Sequence, residues 1–260
     1  MTRRHLTFSC EGNTLCATLD EAPGDTGLLL VSGGNEIRSG AWSGQAGLAA
    51  RIAATGRPVF RYDRRGIGDS EGANTGFRGA ADDLAAALSA FRLEVPRLRR
   101  VVAFGNCDGA TTLALFGSKL PLDGLVLANP WVIDGDEAPD ALPPSALRSR
   151  YAGKLRDPRE WRRLLGGGVD LAKLARGLRQ LMFPAPPAPS LAKRMEDELG
   201  RYRGPVRILL AEGDRTAQLF LDQWTAVDDR IRGIESRSHS FSDEAAREWL
   251  FGQVCAALED

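Results

Sequence analysis

Apolar positions along the chain follow two rhythms, and the switch between them outlines a fold. His5-Leu-Thr-Phe-Ser-Cys10 and Thr14-Leu-Cys-Ala-Thr-Leu19 alternate apolar with polar residues around the turn-forming Glu11-Gly-Asn13, so a β-hairpin is expected to open the chain. Residues 28–31, 58–62, 101–104, 125–128 and 206–210 are instead short, almost unbroken apolar or β-branched runs. Strands covered on both faces of a parallel sheet read this way. Helical spacing falls between them: Leu48 with Ile52 before Gly56, Leu84 with Leu88 and Phe91 after Asp82 and Asp83, and Leu113, Leu115 and Phe116 after the third run. Leu219, Leu221 and Trp224 follow the fifth run, and Ser242 is placed to cap a last helix through Leu258, with Asp243 and Glu244 in its first turn. Strand alternating with helix predicts an α/β fold, a mostly parallel twisted sheet with helices on both faces and right-handed crossovers.

One stretch breaks the rhythm. Residues 138–200 contain no strand-like run; they carry Pro143-Pro144, Arg-rich amphipathic stretches around Trp161 and over 171–181, and the connector Phe183-Pro-Ala-Pro-Pro-Ala-Pro-Ser190. The expected organisation is a core of residues 1–137 and 201–260 with a helical cap insertion at 138–200, its connector extended and semi-rigid.

Composition narrows the chemistry. The chain's 260 residues are 43% hydrophobic and 26% charged, enough for one large core. Thirty-four Lys and Arg cancel thirty-four Asp and Glu, so no nucleic-acid partner is expected. No apolar run reaches the roughly 18 residues of a membrane helix, and Met1-Thr-Arg-Arg-His5 leads into alternation, so neither membrane insertion nor a secretory leader is expected. Cys10, Cys16, Cys107 and Cys255 form no C-x-x-C pair and are too sparse to staple the fold, which fits a reducing, cytoplasmic compartment. With only His5 and His239 present, no His-rich metal site is expected, and any imidazole base is one of the two. The loop Val31-Ser-Gly-Gly-Asn-Glu-Ile37 lacks a Walker lysine and does not fit G-x-G-x-x-G, so no nucleotide cofactor is expected.

The string that carries most chemistry is Arg100-Val-Val-Ala-Phe-Gly-Asn-Cys-Asp-Gly-Ala110, a buried strand running through Gly105-x-Cys107-x-Gly109 into a helix. It has the form of the nucleophile elbow G-x-S-x-G with sulfur in place of oxygen. A tight strand-to-helix turn lifts the central side chain above the sheet, the glycines spare neighbouring backbone a collision, and the helix N-terminus favours negative charge at the sulfur. A free cysteine is also commonly a small core residue, and that bland reading stands beside this one. Partners follow in the required order: Asp214 closes Ile208-Leu-Leu-Ala-Glu-Gly-Asp214 just past a strand, and His239 lies in Ser238-His-Ser-Phe-Ser242 between a last short strand (231–236) and the final helix. Each has its own bland reading, as a turn aspartate and a surface histidine. Both fall at the carboxyl edge of the sheet, where open α/β sheets bind ligands. His239 would take the thiol proton and Asp214 would orient the ring. An oxyanion hole is expected from the N–H of Asp108 with that of Gly34 or Asn35.

These residues resemble the α/β-hydrolase superfamily, as does Asp63-Arg-Arg-Gly-Ile-Gly-Asp-Ser-Glu-Gly72, which is similar to its D-x-R-G-x-G-x-S turn; Asp63, Arg64 and Asp69 are given structural roles on that basis. Glu36-Ile37, the cysteine elbow, Gly213-Asp214 and His239-Ser-Phe241 resemble dienelactone hydrolases. That resemblance implies a Cys-Asp-His triad and a glutamate, here Glu36, touching the thiol. A fuller resemblance, over nearly the whole chain, is to the hydrolase 1 family associated with the exosortase A system of bacterial exopolysaccharide loci. It runs through Val31-Ser-Gly-Gly34, Asn106-Cys-Asp-Gly109, Leu127-Ala-Asn-Pro-Trp-Val132, Tyr151-Ala-Gly-Lys-Leu155 and Trp161-Arg-Arg-Leu-Leu-Gly166. It implies a genomic neighbourhood and names no substrate.

The expected function is hydrolysis of carboxylic esters, thioesters or lactones of a small-molecule acyl substrate through an acyl-Cys107 intermediate. Trp131, Tyr151 and Trp161 are candidates to line the acyl pocket, and Arg38 or Arg65 to read an anionic group; packing and solvated loop positions are the competing readings. Two other functions stay open: a binding or scaffold protein that kept the fold without the chemistry, and acyl transfer by the same triad. Oligomeric state is left open.

Overall fold

The computed structural model describes residues 2–134, 190–224 and 227–260. The chain divides into two compact units, Met1–Val132 with Leu191–Asp260, and Ile133–Ser190. Tyr151 and Trp161 lie outside the described residues.

The first unit is built on an eight-stranded sheet: β1 (Arg3–Cys10), β2 (Asn13–Asp20), β3 (Thr26–Val31), β4 (Val59–Tyr62), β5 (Arg100–Asn106), β6 (Gly124–Ala128), β7 (Val206–Ala211) and β8 (Ile231–Ile234), in the order β1-β2-β4-β3-β5-β6-β7-β8. The opening hairpin pairs antiparallel, with Phe8 opposite Leu15, and β2 runs antiparallel to β4; the remaining pairs are parallel. Thus the alternating segments form the antiparallel edge and the unbroken apolar runs form the parallel interior.

The reason shows in β3. Leu29 and Val31 face one core with Phe60, Phe91 and Leu113, whereas Leu28 and Leu30 face a second core with Leu48, Ile52 and Leu250. Both faces are covered, so no position in the run is free to be polar. Helices α2 (Ala81–Glu94) and α3 (Asp108–Phe116) supply the first cover, and α1 (Gly44–Ala54) with α6 (Glu244–Glu259) the second. Phe60 and Phe91 stack with ring centres 5.4 Å apart in the first core.

Two details differ from the sequence reading. Asp243, not Ser242, caps α6, its carboxylate accepting from the Ala246 N–H at 2.9 Å, while the Ser242 hydroxyl bonds that of Ser238 at 2.7 Å. A carboxylate facing a helix N-terminus gains from the dipole as well as the hydrogen bond. Second, residues 191–200, expected within the insertion, form helix α4 (Leu191–Arg201) of the core unit. Leu191, Met195 and Leu199 lie one turn apart and are buried against the α3 side of the sheet, which gives this charged helix a single apolar stripe. No helix among the described residues is long and apolar enough to cross a membrane.

The order of strands sets the position of the site. From β3 the chain goes to β4 on one side and then to β5 on the other. The carboxyl ends of β3 and β5 therefore flank the point where the winding reverses, the natural crevice of such a sheet.

Candidate active site

Cys107 sits between β5 and α3 with φ 57° and ψ −126°, in the left-handed half of the map where a side chain costs about 1–3 kcal/mol unless its surroundings hold it. They hold it on both sides. Its N–H donates to the Ala128 carbonyl at the end of β6 (3.0 Å), and its carbonyl accepts from Ala110 (3.1 Å), Thr111 (3.2 Å) and Trp131 (3.3 Å). The turn needs its glycines: a Cβ on Gly105 would stand 2.5–2.7 Å from the backbone of Gly109 and Ala110, and one on Gly109 would stand 2.5 Å from the Val31 carbonyl. The elbow expected from the G-x-C-x-G spacing is thus forced by backbone packing. Cys107 is half-buried and Cys10 is fully buried; all four cysteines are free.

His239 lies in the loop after β8, its Nδ1 2.9 Å from Asp214 Oδ2. Asp214 follows β7 and also caps helix α5 (Arg215–Gln223), accepting from the Ala217 N–H at 3.2 Å. One carboxylate thereby fixes a helix start and the imidazole ring. The electrostatics agree. Burial works against charge on both groups, but their hydrogen bond and mutual attraction outweigh it. Asp214 is held below the usual carboxylate range, with the Ala217 and Thr216 N–H groups assisting. His239 is pushed up to about 10, by its bond to Asp214 and then by hydrogen bonding and charge from Cys107. The structure therefore pairs His239 with Asp214 and sets Cys107 near enough to the ring to raise its charge state.

The His239 loop is clamped by a residue the sequence reading did not single out. Asn129, fully buried just after β6, donates from its side chain to the His239 carbonyl at 2.9 Å and accepts the Ala211 N–H at 2.9 Å. It joins the ends of β6 and β7 to the histidine loop. Its presence in Leu127-Ala-Asn-Pro-Trp-Val132 was visible, but its partners are 82 and 110 residues away.

The expected oxyanion donors are only partly free. The N–H of Asp108 opens α3, where a first-turn N–H has no partner within its helix. The Gly34 N–H instead donates to the Asp108 carboxylate at 2.5 Å. Arg64, itself buried, bonds the Gly34 carbonyl and reaches the Asp108 carboxylate at 3.4 Å, tying the loop down. The side chain of Asn35 is turned to Asn74, accepting at 2.9 Å.

The remaining candidates fall as follows. Arg38 and Arg65 do not face the site as anion readers: Arg38 pairs with buried Asp63 and donates to the Thr18 hydroxyl (3.1 Å), and Arg65 pairs with buried Asp83 and donates to the Gly79 carbonyl (3.0 Å). A buried carboxylate must be matched, and the loop arginines do that. Glu36 is half-buried on the wall of a neighbouring cavity, with no hydrogen bond to Cys107 among the described residues. Trp131 touches the elbow through its backbone, its carbonyl accepting from the Thr111 hydroxyl at 2.7 Å.

An open parallel sheet with a sharp residue at the end of its central strand, and an acid and an imidazole on later strand ends, defines an α/β-hydrolase architecture. The model of the alpha/beta hydrolase family matches residues 28–252, and the chain belongs to that family. The search of curated proteins returned no match. Among solved structures the chain is similar to the alpha/beta hydrolase GrgF of a Penicillium species, at 18% identity, covering 100% of this chain and 98% of that one with a TM-score of 0.66. It is similar to an esterase of Pyrococcus furiosus (16% identity, 99% and 91% covered, TM-score 0.63) and to a thioesterase domain of the curacin biosynthetic pathway (14%, 98% and 100%, TM-score 0.57). At these identities the likeness is one of fold.

Proposed function

We propose that the protein hydrolyses esters or thioesters of a small carboxylic acid through Cys107, with His239 and Asp214 as its acid–base pair. The observation that carries this reading is the strained, half-buried Cys107 facing an imidazole whose other nitrogen is bonded to a buried carboxylate. The esterase and thioesterase neighbours are consistent with it.

His239, raised to about 10, keeps a proton at neutral pH, and that proton is on the ring as the Cys107 sulfur attacks. Sulfur attacks the substrate carbonyl and the π electrons move to oxygen, which faces the Asp108 N–H. Collapse breaks the bond to the leaving group, which departs with the His239 proton as alcohol or thiol. A thioester on Cys107 and neutral His239 remain. Water then attacks, His239 takes one of its protons, and collapse expels the thiolate and releases the acid. Asp214 keeps the ring oriented through both halves. Water as final acceptor makes this hydrolysis; an alcohol in its place would make it transfer. In the first tetrahedral species thiolate leaves more readily than an unprotonated amine, so esters and thioesters suit this nucleophile better than amides.

A Gly34 contribution to the oxyanion hole requires the Asp108 carboxylate to give up that N–H when substrate enters. A donor of this kind contributes about 3 kcal/mol in a transition state. The expected cellular setting is reducing and cytoplasmic, which the four free cysteines support. The exosortase A-associated label and a cap role for residues 138–190, Tyr151 and Trp161 included, belong to this proposal as well.

The test is a panel of p-nitrophenyl esters and acyl-CoA thioesters, assayed with and without polyol acceptors. The wild-type protein releases chromophore or free thiol and Cys107→Ala does not. Equal turnover by Cys107→Ala overturns the assignment.

A further inference from the structure

A cavity of about 400 Å³ lies on the α1 and α6 side of the sheet, walled by Trp42, Leu48, Phe104, Asn106, Phe241 and Leu250. Its lining includes chain neighbours of both members of the Cys107–His239 pair: Asn106 precedes the cysteine, and Ser240 and Phe241 follow the histidine. Three further observations bear on what it holds.

Asn106 is 94% buried by its 6% exposure, yet its Oδ1 has no hydrogen-bond partner. A buried carbonyl oxygen without a donor is costly to keep, which points to a donor arriving with a ligand. Second, strained backbone gathers at this cavity. Trp42 (φ 44°) and Phe241 (φ 53°) both take left-handed conformations, and Ser43 beside Trp42 does the same (φ 61°). Such strain concentrates at ligand clamps. The Trp42 indole N–H reaches across to the Ser240 hydroxyl at 2.9 Å, joining the wall to the histidine loop. Third, carboxylates outnumber cations around the cavity, Glu36, Glu244 and Glu248 against Arg51 and Arg247. Arg51 is bonded twice to Glu248 (2.8 and 2.7 Å), Arg247 lies over the Trp42 ring at 5.5 Å, and Glu36 and Glu244 line the same space. An uncharged, largely apolar occupant fits.

The geometry points to this cavity as the acyl subsite, taking a medium-length aliphatic acyl group that carries a hydroxyl close to its carbonyl. The hydroxyl donates to Asn106 Oδ1. Cys107 and His239 themselves are not in the lining, and since Asn106 adjoins Cys107 in the chain the proposal sets that hydroxyl near the reacting carbon, as in a 3-hydroxyacyl group. This assignment rests on the hydrolase reading for its orientation, and the binding measurement below separates the two.

Octanamide and 3-hydroxyoctanamide, neutral and resistant to turnover, are titrated calorimetrically into the full-length wild-type protein. One neutral hydrogen bond predicts about fivefold tighter binding of the hydroxylated amide. In Asn106→Leu that preference disappears, and in Leu48→Trp, which fills the cavity, both amides bind at least about tenfold more weakly. Leu250→Phe repeats the filling from a different helix, so the test survives if one variant fails to fold. Equal affinity of the two amides for the wild type, or binding indifferent to both filling variants, overturns the subsite. If the amides behave as expected while p-nitrophenyl octanoate is not hydrolysed, the subsite stands and the hydrolase reading falls. If the ester is hydrolysed and the amides ignore the filling variants, the reverse holds.

Discussion

Replacing Asp214 with asparagine isolates what the carboxylate does for the ring. Asparagine is nearly isosteric and caps a helix about as well as aspartate, so the hydrogen bond that starts α5 is retained. What disappears is the negative charge 2.9 Å from His239 Nδ1. That ring is raised from 6.5 to about 10, with burial opposing the rise and Asp214 and Cys107 driving it. The full rise corresponds to roughly 5 kcal/mol at about 1.4 kcal/mol per pH decade. The ring is 34% exposed, however, so solvent screens part of this, and Cys107 supplies another part. We assign about 2 kcal/mol to Asp214, which moves the His239 midpoint in Asp214→Asn down by about 1.5 pH decades. The linkage follows in sign. A histidine whose folded pKa exceeds its unfolded one stabilises the fold fully below 6.5 and loses that contribution as pH rises towards 10. Wild type and variant should therefore differ by about 2 kcal/mol near pH 6 and converge near pH 10. The amide also faces Nδ1 with either polar end, so ring orientation is lost and kcat/KM falls by about 10²–10⁴. The midpoint is read from the imidazole proton resonances over pH 5–11, stability from urea melts at the same pH values, and rate from p-nitrophenyl ester release. A His239 midpoint unmoved by the substitution, or a rate within twofold of wild type, refutes the reasoning.

Other consequences are open to simpler assays. Burial pushes the thiols of Cys10 (to about 11), Cys16 and Cys255 upward, so iodoacetamide should label Cys107 at least about 100-fold faster than those three, and His239→Ala should erase most of the difference; equal, slow labelling of all four would favour an inert scaffold. Gly105→Ala sets a methyl group against the Gly109 backbone, and a cost above about 3 kcal/mol should lower the melting temperature by about 10 °C. Asn129→Leu removes both bonds that hold the histidine loop; it should cost about 2–4 kcal/mol and lower kcat about tenfold with little change in KM, and an unaltered kcat would show that the clamp does not position His239.

Much of this architecture is readable from local pattern because the pattern has a local cause. Leu28–Leu30 alternate between two cores, so every position is apolar, and Gly105 is demanded by the backbone of Gly109 and Ala110 a few residues on, whereas Gly109 answers to the distant Val31 carbonyl. The positions of Cys107 and Asp214 are legible for the same reason, since each follows a strand marked by its apolar run, whereas His239 follows the short, polar-interrupted β8. Long-range pairing escapes such reading. Arg38 and Arg65 look like free loop cations until the fold sets buried Asp63 and Asp83, 25 and 18 residues away, against them. The diversion of the Gly34 N–H to Asp108 spans 74 residues, and nothing near either residue announces it. Helix α4 shows a third kind of miss. Its stripe at Leu191, Met195 and Leu199 has helical spacing, but its charge and the proline-rich connector before it drew the expected boundary to residue 200.

The most direct test asks where the acyl group goes. Wild-type protein mixed with excess p-nitrophenyl butyrate, quenched in acid within the first turnovers and weighed intact, should gain the mass of one butyryl group. Peptide mapping should place that group on Cys107, and Cys107→Ala should gain nothing. Sustained product release with no adduct on the wild type, or an adduct on any other side chain, would contradict the account.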